Sequence, residues 1–290
     1  MMKPNDILRI GIAGAGQMGT GIAQIAAASG WQVLLLDVRE SALQAAVARI
    51  RDGLTRSVEK GALKADLVEP SLVRIRTTGR LDDFVEAQLI IEAAPEIPSL
   101  KLDLFRQMGR VCKPETVLAS NTSSISITKL GAASGRPDRV VGMHFMNPVP
   151  VMRLVEVVRG MQTADESVDL VIAVGQRMGK TPVVCTDSPG FIVNRILAPM
   201  INEATFLLEE GHASAEAIDL AMTAGTNHPM GPLALADRIG LDTVLAILEV
   251  LHHDFGDPKF RPCPMLRKYV EAGWLGRKSG RGFYNYEARS

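Results

Sequence analysis

The chain has 290 residues and a mass of 31.3 kDa, is 47% apolar, and carries 32 Lys+Arg against 32 Asp+Glu. That is enough apolar surface for a sizeable core and, at roughly 100–200 residues per domain, enough length for two domains. Zero formal charge supplies no general pull toward nucleic acid or anionic lipid, and aromatics at 4% are too few for a base-stacking platform.

The first candidate element is a β-branched strand over residues 7–13, followed by a glycine-rich turn and a small-residue helix over 20–29 that Gly30 stops. A buried strand over 32–36 ends at Asp37. These pieces form one β-α-β unit, and they explain why residues 10–36 carry no charge despite being long enough to raise a membrane span. Glycines and glutamines interrupt that run, and it lacks the layout of a secretory signal.

A long helix follows from about residue 41 to 61, with Leu43, Val47, Ile50, Leu54 and Val58 at helical spacing. No strong strand comes directly after it, so it reads as a helical arm. Strands are expected over 89–93, 116–120, 139–145, 154–158 and 182–186, with helices over 100–111 and 168–178. This alternation predicts an α/β fold, a doubly wound sheet of the Rossmann type with an antiparallel extension toward its end. After residue 187 helical periodicity takes over at 191–210, 215–224 and 233–251, with a break at Gly240. Pro189 reads as the first residue of a helix capped by Ser188. The expected domains are residues 1–186, which hold a dinucleotide, and an all-α C-terminal domain over 187–290.

Gly14, Gly16 and Gly19 form G-x-G-x-x-G between a strand and a helix, with Ala15, Gln17 and Met18 as the intervening positions. In this context the first glycine makes a tight turn, the second admits a pyrophosphate, and the third lets helix and strand pack closely. Gln17 and Met18 also read as simple filler. Asp37 is placed to accept the ribose hydroxyls and to repel a 2′-phosphate, which favours NAD over NADP, although Arg39 stands close by.

Ligands of such sheets bind beyond the carboxyl ends of the strands. Two predicted strands end there in Ser120-Asn121-Thr122-Ser123-Ser124 and in His144-Phe145-Met146-Asn147-Pro148. A serine among them also reads as a helix N-cap before Ile125. Glu156 shares a strand face with Leu154 and Val158, so it is expected to be buried and in need of a partner. The turn at Asn147-Pro148-Val149-Pro150 can fold it back beside His144, pairing a carboxylate with a candidate general base. The bland alternative is a satisfied core histidine. Cys112, Cys185 and Cys263 are far apart and odd in number, so no metal site or disulfide framework is expected. They fit a reducing, cytoplasmic setting.

Together with Asp187-Ser188-Pro189-Gly190-Phe191-Ile192-Val193-Asn194-Arg195, Pro229-Met230-Gly231-Pro232-Leu233 and the closing Gly276–Tyr284 motif, these residues resemble the L-3-hydroxyacyl-CoA dehydrogenases over essentially the whole chain. A stand-alone chain of this length is most similar to the bacterial members that act on 3-hydroxybutyryl-CoA. The resemblance implies NAD-linked interconversion of (S)-3-hydroxyacyl-CoA and 3-oxoacyl-CoA. It makes His144 the base, Glu156 its orienting partner, Ser123 the contact to the substrate's 3-oxygen and Asn194 the holder of its carbonyl. It adds Glu96, Lys101, Ser123, Asn147 and, more weakly, Lys278 as NAD contacts, and Lys60 as a phosphate contact of coenzyme A. Asn194 also reads as an ordinary helix residue and Lys60 as a solvated one. The resemblance further implies a homodimer through the C-terminal domain, with no nucleic-acid or membrane partner.

The sequence departs from the family pattern at Pro95, Ile97 and Pro98, at Met146 where an aromatic is usual, and at Gly53 where some relatives have a serine. Two competing readings are a hydroxyacid dehydrogenase without coenzyme A and a non-catalytic relative of the crystallin kind. The first typically uses a catalytic lysine motif that the second domain lacks. The second is disfavoured by the intact His144, Glu156, Ser123 and Asn194.

Overall fold

A computed structural model describes residues 6–286. By internal contacts the chain divides into Met1–Ser188 and Pro189–Ser290. The first unit is built on β1 (Arg9–Ala13), β2 (Gln32–Leu36), β3 (Ile75–Thr78), β4 (Leu89–Glu92), β5 (Val117–Ser120), β6 (Val140–Phe145), β7 (Leu154–Arg159) and β8 (Thr181–Thr186). They form one sheet in the order β3-β2-β1-β4-β5-β6-β7-β8. Strands β1 to β6 run parallel, β7 is antiparallel to β6, and β8 is parallel to β7. The central strands β4, β5 and β6 are buried along their whole length, which is why they read as apolar runs.

The crossover helices are α1 (Gln17–Ala28), α2 (Glu40–Glu59), α3 (Val68–Val73), α4 (Pro98–Val111), α5 (Ile127–Ser134) and α6 (Asp165–Arg177). Ile22, Ala23, Ala26 and Ala27 of α1 pack with Leu43, Ala46, Ile50 and Leu54 of α2 in the main core, so the long arm is held to the sheet. Burying each of the larger side chains contributes about 2 kcal/mol. At Gly53 an added Cβ would lie 2.2 Å from Gln24 Oε1, so a side chain there would require the Gln24 amide to move.

Strand β3 and helices α3 and α5 go beyond the elements expected from periodicity. Strand β3 has the sequence Ile-Arg-Thr-Thr and lies at the sheet edge, where one face stays wet and no apolar run is required. Helix α5 is eight residues long, begins at an N-cap where Ser126 Oγ accepts from Lys129 N, and ends at Gly135 in a left-handed conformation.

The second unit is helical: α7 (Val193–Glu209), α8 (Ala215–Thr226), α9 (Pro232–Ile239), α10 (Leu241–Phe255) and α11 (Pro264–Glu271). Its main core gathers Ala198, Ile201, Ala236, Leu248, Leu251, Phe260 and Leu266. The expected start at Pro189 is corrected. Gly190 and Phe191 both have positive φ (74° and 50°), so the chain turns there and the helix begins only at Val193. Among the described residues no helix is long and apolar enough to cross a membrane.

Candidate active site

Strand order reverses between β1 and β4, and the phosphate turn lies at that switch. Gly14 has φ +112°, and a Cβ there would sit 2.5 Å from Ala93 O. A Cβ on Gly19 would meet Gly14 O at 1.8 Å, so neither position admits a side chain. Gly16 differs, because an added Cβ would meet nothing within 4 Å. It is the N-cap of α1, which has no side-chain cap and no acid in its first turn. The unsatisfied N–H groups and the helix dipole therefore face outward over a bare backbone, which fits a pyrophosphate.

Asp37 closes β2 and accepts from Ala15 N through Oδ2 (3.0 Å) and from Arg39 N through Oδ1 (3.0 Å). Burial pushes its carboxyl up, but these two N–H bonds and the Arg39 charge outweigh that and hold it below the usual range. Ala15 is buried and Met18 packs against the core. Gln17 is not mere filler here, since its Nε2 donates to Asn147 Oδ1 at 3.1 Å. Asn147 precedes a cis proline, Pro148, in the β6–β7 connection. Lys180 clips that connection from beneath by donating to Val149 O and to Met152 O (2.8 Å).

The serine-rich turn after β5 is organised by Glu96. Its Oε1 accepts from Thr122 Oγ1 (2.5 Å), Ser123 N (3.0 Å), Ser124 N (3.2 Å) and Ser124 Oγ (3.0 Å), with Ser123 Oγ at 3.4 Å. Its Oε2 lies 3.0 Å from Lys101 Nζ. Burial raises the Glu96 carboxyl, yet the Lys101 charge and the bonds from Thr122, Lys101 and Ser123 more than offset it, so the group stays ionised to lower pH. Lys101 also reaches Glu92 Oε1 at 2.9 Å, and sequence reasoning missed Glu92. A carboxylate ending an apolar strand next to the glycine turn was the available signal.

His144 is the penultimate residue of the fully buried β6 and is 7% exposed, while Glu156 on β7 is 0% exposed. The antiparallel register sets them directly opposite one another, with His144 Nδ1 and Glu156 Oε2 2.6 Å apart. Asn121 braces the neighbouring strand end: its Oδ1 accepts from Phe145 N at 2.9 Å. The contact holds the ring with Nδ1 turned to the carboxylate.

Lys60 is exposed at the C-terminal end of α2. In the helical unit, Asn194 is half-buried in the first turn of α7. Lys278 lies 2.6 Å from both oxygens of Asp242, so its charge is locally neutralised.

A glycine turn over an uncapped helix end, at the reversal of strand order and with an acid directly after β2, defines a dinucleotide-binding α/β protein. Residues 9–188 match the family model described as 3-hydroxyacyl-CoA dehydrogenase, NAD binding domain, and residues 190–286 match its C-terminal domain. A probable 3-hydroxybutyryl-CoA dehydrogenase of Bacillus subtilis is 53% identical, covering 98% of this chain and 99% of the relative. A protein of the same description from Deinococcus radiodurans is 55% identical, over 96% and 100%. The crystal structure of the (S)-3-hydroxybutyryl-CoA dehydrogenase of Ralstonia eutropha superposes with a TM-score of 0.94 at 50% identity, covering 97% of this chain and 99% of that one. The chain belongs to the 3-hydroxyacyl-CoA dehydrogenase family, and its nucleotide is NAD.

Proposed function

We propose that the protein oxidises (S)-3-hydroxybutyryl-CoA to the 3-oxo thioester, and catalyses the reverse, with His144 and Glu156 as a base pair. The observation that carries this is the buried 2.6 Å contact between them, set on the same sheet as the glycine turn. The names of relatives at 50–55% identity supply the substrate class.

Bound nicotinamide supplies a hydride acceptor. His144 takes the 3-hydroxyl proton at Nε2, the ring nitrogen opposite the one turned to Glu156, as the C3–H bond gives up its hydride and C3–O becomes a carbonyl. Glu156 accepts from Nδ1–H and stabilises the imidazolium that forms. Ser123 donates to the 3-oxygen, and Asn194 holds the substrate carbonyl. The glycine turn Gly14–Gly19, with Ala15, Gln17 and Met18, cradles the pyrophosphate; Asp37 takes the ribose. Glu96, Ser123 and Asn147 complete the nucleotide contacts, with Lys101 acting behind Glu96. Lys60 is assigned to a coenzyme A phosphate, and Lys278 is left as a weak contact because Asp242 holds it.

We further propose a cytoplasmic homodimer. The three cysteines are all unpaired thiols, which suits a reducing compartment. On the helical unit, Ile196 of α7 and Leu220 of α8 are exposed apolar side chains suited to a second copy.

Mixing the protein with NADH and acetoacetyl-CoA should give rapid loss of nucleotide absorbance, and NADPH should serve poorly. Turnover of free hydroxyacids without any turnover of 3-oxoacyl-CoA would overturn the substrate assignment. Light scattering on a sizing column should give twice the chain mass, and a monomer would remove the dimer proposal.

A further inference from the structure

We propose that Glu92 is a positioning residue for the nucleotide site, acting through Lys101 on Glu96 and on the backbone that walls the glycine turn. The proposal rests on NAD binding, and the acyl-CoA assignment is not needed for it.

Glu92 is the last residue of β4, in register with Ala13 of β1 on one side and Ser120 of β5 on the other. It is 0% exposed. Each of its acceptors is used. Oε1 accepts from Ala94 N (2.7 Å) and lies 2.9 Å from Lys101 Nζ; Oε2 accepts from Ser120 Oγ (2.6 Å); and the carbonyl accepts from Asn121 N (2.7 Å). A buried carboxylate is costly unless paired in this way, and a packed apolar side chain would fill the space at no such cost. The charge therefore serves something other than packing.

Two consequences follow from these bonds. The first runs outward through Lys101, which is only 1% exposed, so its ammonium does not reach a ligand lying in the turn. It does reach Glu96, whose side chain is 37% exposed. One oxygen of Glu96 is held by that ammonium, and the other is left for the Thr122–Ser124 turn. Glu92, Lys101 and Glu96 thus form a series of charges from a fully buried strand end to the solvent-facing rim. The second consequence is in the backbone. The bond to Ala94 N fixes the peptide after Ala93, and Ala93 O is the atom against which Gly14 is pressed.

The test uses Glu92→Gln, Lys101→Met and the double variant, with NADH affinity read by fluorescence titration and folding by Tm. Each single variant should bind NADH about tenfold more weakly. The double should be no weaker than the worse single, because residues acting in series are not additive. The double removes both charges of the buried Glu92–Lys101 pair together, so it serves where a single variant fails to fold. NADH affinity within about twofold of the parent in the double variant, whatever happens to Tm, would reduce Glu92 to a structural role and overturn the proposal. A parent that turns over no 3-oxoacyl-CoA, alongside variants that still lose NADH affinity, would sink the substrate assignment while supporting this one.

Discussion

Glu92 and Glu156 are both carboxylates with no exposed surface in strands of mostly apolar residues, yet they are satisfied in different ways. Glu156 meets an imidazole across an antiparallel pair, from a neighbour twelve residues away in the chain. Glu92 meets an ammonium that a crossover helix brings to the carboxyl end of a central strand, plus donors from two strand ends. The first arrangement holds a group whose protonation can change during a reaction. The second ties a strand end to a helix and to the backbone beside the glycine turn, and on our proposal it orders the shape of the nucleotide site.

The contrast makes the two carboxylates separable by experiment. The largest effect is expected from His144→Gln, which should lower kcat by about 10³-fold, within the usual range for losing a general base, while NADH affinity stays within twofold. Equal loss of both would show that His144 shapes the nucleotide site as well. Glu156→Gln should follow with a fall of about 10²-fold in kcat, the scale of losing an orienting partner, again with NADH affinity preserved. Steady-state kinetics beside a binding titration reads both. If Glu92→Gln showed that same pattern, with kcat lost and affinity kept, the distinction drawn between the two carboxylates would break.

The smallest effect is in pH. Glu96 is held below its ordinary value, so its contribution to stability is present above about pH 4.3 and is lost as pH falls through the folded value. Urea midpoints followed from pH 6 to about pH 3 should fall less steeply in Glu96→Gln than in the parent. Parallel curves would mean that the Lys101 contact leaves no mark on folding.

What could be read from the sequence divides along the same line. His144 and Glu156 lie on adjacent strands joined by a short turn, so alternation along one strand and a proline-marked turn were enough to bring them together. Glu92 and Lys101 meet because the first turn of α4 returns to the end of β4, and no local periodicity encodes that contact. Lys101 enters the sequence reading only as an NAD contact implied by the resemblance, and the structure buries it against Glu92. Among elements, β4 to β6 declared themselves by being mostly apolar, whereas β3 concealed itself by having three polar residues in four at an edge. The misplaced helix start at Pro189 has the same origin. Proline suits a first turn, but the backbone at Gly190 and Phe191 is set by the turn they make.

The three glycines of the turn are commonly spoken of together, but only two of them are there for the protein's own sake. Gly14 and Gly19 are bare because another part of the chain already occupies the space. Gly16 is bare with empty space around it, at an ordinary φ of −71° that alanine adopts without strain. A methyl group there would leave the folded chain untouched and intrude only on a guest. At that one position the sequence records the outline of the nucleotide and not of the fold, much as a mould keeps the form of what is cast in it.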